Sequence, residues 1–122
     1  DRIEVPEGIK IIAKEAFASN DTVREILLPQ SVNSINAGAF SKMSSLESIE
    51  LPKNLQRIEY GTFSMCSNLS YVNTEELLEL TMIDEKAFYR CVNLYITLPY
   101  DNIKIGKEAF RDTKGTTISN NN

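Results

Sequence analysis

The chain's five phenylalanines are Phe17, Phe40, Phe63, Phe88 and Phe110, separated by 23, 23, 25 and 22 residues. One residue type confined to one slot at a near-constant interval marks a repeating unit, and a repeat dictates the fold before any local propensity does. Other slots keep step. Ile12, Ile35, Ile58, Ile83 and Ile105 each lie five residues before a phenylalanine, and Val23, Leu46, Leu69, Leu94 and Thr116 each lie six after one. A small residue precedes every phenylalanine: Ala16, Ala39, Thr62, Ala87 and Ala109. Pro6, Pro29 and Pro52 are spaced by 23, and Pro99 follows 47 later, two units and one residue.

A unit of about 23 residues cannot bury its own apolar side chains, whereas stacked units share one continuous core. Each copy therefore reads as one coil of a solenoid. Leu46-x-x-Ile49-x-Leu51 ends in alternation, the pattern of a strand with one face inward. Proline then stops the strand, because it has no N–H to donate and a fixed φ. Val32 and Ile35, or Leu55 and Ile58, form a second short inward segment. Ala39-Phe40 and the residues after it predict a short helical turn on the opposite side. Strands of successive coils must run parallel. The fold class expected is thus α/β, a single repeat domain over residues 1–122. Its repeats are bounded at about 1–23, 24–46, 47–69, 70–94 and 95–116, with a polar end at 117–122. The fourth copy departs from the pattern: it reads Val72-Asn73-Thr74, lacks the proline, and gains two residues within Glu75-Glu76-Leu77-Leu78.

The unit Leu-Pro, Ile, Ala-Phe, Cys or Met, Leu, as in Ile49-Glu50-Leu51-Pro52, Leu55, Ile58, Thr62-Phe63, Cys66 and Leu69, resembles the BspA-type leucine-rich repeat, also called the Treponema pallidum type. The resemblance covers residues 2 to 118, nearly the whole chain. It implies a right-handed solenoid with its parallel sheet on a concave face. It also implies a surface-exposed or secreted protein that adheres to host proteins, to matrix or to neighbouring cells.

Composition narrows the chemistry. Net charge is −4, which disfavours nucleic acid as a partner, since phosphate binding needs a basic face. No apolar run approaches the roughly 18 residues of a membrane span. There is no histidine, so the commonest general base and metal ligand are absent. No cofactor motif, phosphate-cradling glycine loop or calcium repeat is present. An enzyme is not expected.

A solenoid binds through the ordered grid of side chains on its sheet. Alternation places Ile3/Val5, Ile26/Leu28, Ile49/Leu51, Val72/Thr74 and Ile96/Leu98 inward. It places Glu4, Leu27, Glu50, Asn73 and Thr97 outward, together with Arg2, Glu25, Ser48, Tyr71 and Tyr95. The candidate binding residues are Glu25, Leu27, Glu50, Tyr71, Asn73, Tyr95 and Thr97, acidic toward one end and aromatic toward the other. Tyr71 and Tyr95 are expected side by side with Tyr100 just beyond. Exposed tyrosines on a rigid face serve recognition, and they also stabilise sheets by pairing across strands. Cys66 and Cys91 share the slot of Met43, three residues after phenylalanine, where a small core side chain or a disulfide between coils is expected. Asn20-Asp21-Thr22 and Asn68-Leu69-Ser70 fit the glycosylation acceptor pattern. Asn20 is open to either role, whereas Asn68 is expected to satisfy backbone groups between coils.

The two ends differ. Thr116 and Asn120 replace apolar slots, so the sixth strand turns polar and closes the array. Ile3 and Val5 are ordinary core residues with no polar cap before them, and the chain begins at Asp1. An excised or processed piece with further repeats upstream is expected, and its open edge is a candidate for self-association. The functional expectation is a non-catalytic binding or adhesion module of a cell-surface or secreted protein. It would recognise a protein or glycan on host or neighbouring cells. The alternative is an intracellular interaction scaffold or a structural spacer.

Overall fold

The computed structural model describes residues 1–119. Each coil contributes a strand to one wall, a second short strand to another, and a turn carrying phenylalanine to a third. The first wall is a parallel sheet of β1 (Arg2–Glu4), β3 (Glu25–Leu27), β5 (Ser48–Ile49) and β7 (Tyr71–Val72), in that order. Its register is the repeat itself: Ile3 lies opposite Ile26, Ile26 opposite Ile49, and Ile49 opposite Val72. β9 (Tyr95–Leu98) and β11 (Gly115–Ile118) pair in parallel as a separate ribbon. The second wall holds β2 (Ile11–Ile12) with β4 (Ser34–Ile35), and β6 (Arg57–Ile58) with β8 (Met82–Ile83) and β10 (Lys104–Ile105).

The core is the stack of repeat slots. Ile35, Phe40, Leu46, Ile49 and Ile58 are all buried, as are their equivalents in the next coils, Phe63, Leu69, Ile83, Phe88 and Leu94. The phenylalanine rings stack in one column with centroids 5.8, 5.3, 5.3 and 6.0 Å apart. Such offset stacking adds to the burial of each ring. Beside them the backbone forms its own ladder, with the N–H of Phe17, Phe40, Phe63 and Phe88 donating to the residue before the next phenylalanine at 2.8, 3.0, 2.8 and 2.8 Å.

The third wall differs from the helical turn expected from Ala39-Phe40. Among the described residues the only helix is a 3₁₀ turn at Thr74–Glu76. The phenylalanine turns instead carry a left-handed residue two positions before each ring and another two positions after it. The first set is Glu15, Gly38, Gly61, Lys86 and Glu108, and the second is Ser19, Lys42, Met65, Arg90 and Asp112. A helix cannot pass through two positive φ angles in five residues. The fold is therefore a parallel β-solenoid of about five coils with turns rather than helices on its third side.

The fourth copy interrupts the sheet. The two extra residues are taken up by the 3₁₀ turn, and β7 and β9 do not pair among the described residues. The Thr74 hydroxyl bridges the break by donating to the carbonyl of Thr97 at 2.6 Å. Tyr100 braces the inserted segment, its hydroxyl lying 2.8 and 2.7 Å from the carbonyls of Leu78 and Leu80.

Candidate functional site

The parallel register sets the outward side chains in rows. Arg2, Glu25, Ser48 and Tyr71 form one row across successive strands, and Glu4 stands opposite Leu27 in the next. Between β3, β5 and β7 the rows enclose a shallow groove of about 300 Å³, lined by Glu25, Leu27, Gln30, Ser48, Glu50 and Tyr71. Four candidate residues, Glu25, Leu27, Glu50 and Tyr71, thus share one surface. Ser48 joins them by its place in the row. Gln30 was not among the sequence candidates: it sits in the turn after Pro29, and its side-chain carbonyl accepts the Lys53 N–H at 3.1 Å.

The tyrosine is held from one side. Its hydroxyl donates to Glu75 at 2.8 Å, and 40% of the residue stays exposed. Partial burial, the bond to Glu75, and the charges of Glu75, Glu76 and Glu50 push its phenol up to about 12. It is therefore a neutral donor in an acidic surround at any ordinary pH. The carboxylates of Glu25, Glu50 and Glu75 make no ion pair among the described residues. Acidic groups elsewhere do: Asp84 with Arg57 at 2.7 Å, Glu108 with Lys86 at 3.9 Å, and Asp112 with Arg90 at 3.6 Å. Glu4, at the edge of the sheet face, is 3.7 Å from Arg2.

Three candidates lie outside this groove. Asn73 is buried, not outward. As the chain enters the 3₁₀ turn its side chain swings in, accepting the Leu51 N–H at 2.7 Å and donating to the Leu51 carbonyl at 3.1 Å. It takes the place of a missing strand residue, so it is structural. Tyr95 is exposed but belongs to the β9–β11 ribbon, where its ring packs on Gly115; a Cβ there would come within 3.1 Å of it. Tyr71 and Tyr95 form no ring pair among the described residues, because the ladder is broken between them. Thr97 is half-buried on the same ribbon.

Of the remaining motifs, the cysteines and Asn20 are structural. Cys66 and Cys91 are free, buried thiols that donate to the carbonyls of Phe40 and Phe63, each at 3.0 Å. Burial pushes the Cys66 thiol up to about 12 and raises that of Cys91 as well. Asn20, open to either role, takes a structural one, whereas Asn68 does not satisfy backbone groups as expected. The Asn20 side chain accepts from the N–H groups of Thr22 and Val23, both at 3.1 Å, and closes a turn. Asn68 is exposed and makes no side-chain bond among the described residues. Among those residues there is also no group of three or more metal-ligating side chains. No helix is long and apolar enough to cross a membrane.

This arrangement of stacked coils with an exposed sheet face is that of a leucine-rich repeat domain. The chain belongs to the BspA type leucine rich repeat family, whose model matches six copies over residues 1–117. No curated protein matches it. Among solved structures it is similar to a leucine rich cell surface protein of Faecalibacterium prausnitzii, with 24% identity, TM-score 0.82, and coverage of 98% of this chain and 32% of that one. It is also similar to the pneumococcal vaccine antigen PcpA, with 27% identity, TM-score 0.79, and coverage of 98% and 30%. A leucine-rich repeat protein of Bacteroides ovatus gives 27% identity, TM-score 0.72, and coverage of 91% and 34%. The chain spans about a third of the length of these proteins. The family supports a protein-interaction repeat module.

Proposed function

We propose that this domain is a non-catalytic adhesion module of a cell-surface or secreted protein, engaging a protein partner through the sheet face. The observation that carries this reading is the groove around Tyr71, where Glu25 and Glu50 make no ion pair among the described residues beside an exposed tyrosine on a parallel sheet. An unpaired carboxylate pair next to an aromatic ring suits a lysine or arginine side chain, which gains both charge attraction and ring contact. The partner proposed is a protein of host or neighbouring cells that presents a basic segment. The neighbours described as a cell surface protein and a vaccine antigen support the location.

The test uses a decalysine peptide as a defined probe and purified extracellular-matrix proteins as candidate partners. Tyr71→Ala should weaken binding roughly tenfold, the loss typical of an aromatic anchor. Glu50→Gln should weaken it less and flatten its salt dependence. Tyr95→Ala, off the groove, should change little. Binding that survives Tyr71→Ala together with Glu50→Gln would remove the site. Antibody labelling of intact source cells distinguishes a surface protein from an intracellular scaffold. At the N-terminal end Ile3, Val5, Ile9, Ile11 and Phe17 line an apolar hollow of about 310 Å³, and we propose that a second copy of the chain covers it.

A further inference from the structure

The second wall contains an interruption that no insertion explains. At three of the four coil junctions this wall is closed by a pair of backbone bonds. Asn33 and Asn36 donate to Lys10 and Ile12, Thr81 and Asp84 to Gln56 and Ile58, and Lys104 and Gly106 to Thr81 and Ile83, all at 2.7 to 3.0 Å. Between the second and third coils the equivalent pair, Gln56 to Asn33 and Glu59 to Ile35, is not made, and β4 and β6 do not pair. Yet these two coils have equal spacing, with Ile35 and Ile58 23 residues apart. They remain joined on the other walls. On the sheet wall Ile26 lies opposite Ile49, and on the turn wall Gly38, Phe40 and Lys42 donate to Tyr60, Thr62 and Ser64 at 2.9, 3.0 and 2.8 Å.

The opening coincides with a groove of about 480 Å³. That lies within the roughly 300–1,000 Å³ of small-ligand clefts. All four residues of the unmade pairs line it, and among the described residues the N–H groups of Gln56 and Glu59 and the carbonyls of Asn33 and Ile35 have no protein partner. Asn54 adds a carboxamide, Gln56 another, and Glu59 and Glu79 add carboxylates. The cation in the lining, Arg57, is committed to Asp84, with its guanidinium nitrogens at 2.8 and 2.7 Å.

We infer that this groove is a second binding site, separate from the sheet face, for a neutral saccharide. Its polar groups mix donors and acceptors at close quarters, and a sugar hydroxyl is the common group that both donates and accepts. A free anion meets two carboxylates and no uncommitted guanidinium. A cation meets the two unpartnered N–H groups. An inserted peptide strand is excluded by geometry. It would need two strand spacings of about 4.8 Å, and the other walls hold the coils at one. Saccharide hydroxyls fit because each replaces one missing backbone partner without parting the coils.

The test is a titration of the uniformly ¹⁵N-labelled chain with maltotriose, lactose and N,N′-diacetylchitobiose, followed by amide NMR. At least one sugar should move the backbone amides of Gln56 and Glu59 saturably and leave Tyr71 unmoved. The exposed pair Asn54→Ala with Gln56→Ala should weaken that response roughly tenfold while leaving the rest of the spectrum unchanged. The inference is overturned if no sugar in the panel moves Gln56 and Glu59, if the double variant responds as the parent does, or if decalysine moves these amides and the sugars do not. Loss of the sheet-face site in Tyr71→Ala leaves this titration untouched, so the two sites fail separately.

Discussion

Met65, Lys42 and Arg90 hold a left-handed backbone in the slot after the ring, where a glycine would carry no Cβ penalty. Met65 is partly exposed, so Met65→Gly should stabilise the fold by about 0.5–1 kcal/mol in chemical denaturation. Gly106 gives the opposite result for a different reason. Its φ is ordinary, but a Cβ would lie 2.3 Å from the backbone nitrogen of Glu85 in the coil below. Gly106→Ala should therefore cost about 3 kcal/mol, since that backbone has no room to move. The thiols add a pH signature. Their native pKa values lie above the ordinary thiol value, so the stability they confer is complete below about pH 9. It is lost as the pH climbs toward 12, because the unfolded thiols ionise first. Unfolding midpoints should fall over that window. They should fall less in Cys66→Ala with Cys91→Ala, leaving the share due to Tyr71. The native thiols should resist an aromatic disulfide reagent and both react in denaturant.

Among the elements, the interrupted sheet turns on Asn73. Its carboxamide replaces the two backbone bonds that Leu51 would otherwise lack, so Asn73→Ala should cost about 2 kcal/mol, with buried groups left unpaired. Asn73→Asp should be comparably harmful, because the carboxylate cannot donate to the Leu51 carbonyl. The strands and the core were readable in the chain because each slot holds one residue type at one interval, and burial follows that interval directly. The turns were not. Only Gly38 and Gly61 announce positive φ in their column, and Ala39-Phe40 has the composition of a helix start. The grid was readable where the repeat is regular, at Glu25, Leu27, Glu50 and Tyr71. It failed at Asn73, where two extra residues change the chain direction, although a lost proline beside an asparagine was the available signal. The open second wall left no mark, since the copies flanking it are equal in length.

For the whole molecule, the proposed self-association is testable at the first coil. Ile11 is 58% exposed beside β1 and β2, each of which pairs on one side only among the described residues. Light scattering on a size-exclusion column should show concentration-dependent dimers, and Ile11→Glu should return the protein to monomer. A monomer at all concentrations would count against the covered end. Because each coil touches only its neighbours, a destabilising change should act most on its own coil and the ones beside it.

The missing bonds of the second wall also bear on how the domain deforms under load. The first and second coils, and the third and fourth, are fastened along all three walls, whereas the second and third are fastened along two. The fourth and fifth are likewise fastened along two, but there the sheet is the wall left open. Bending stiffness is therefore uneven along the axis, and the two compliant points yield in different directions. A domain tethered at one end and held by a partner at the other would swivel at these points under shear before any coil unravels.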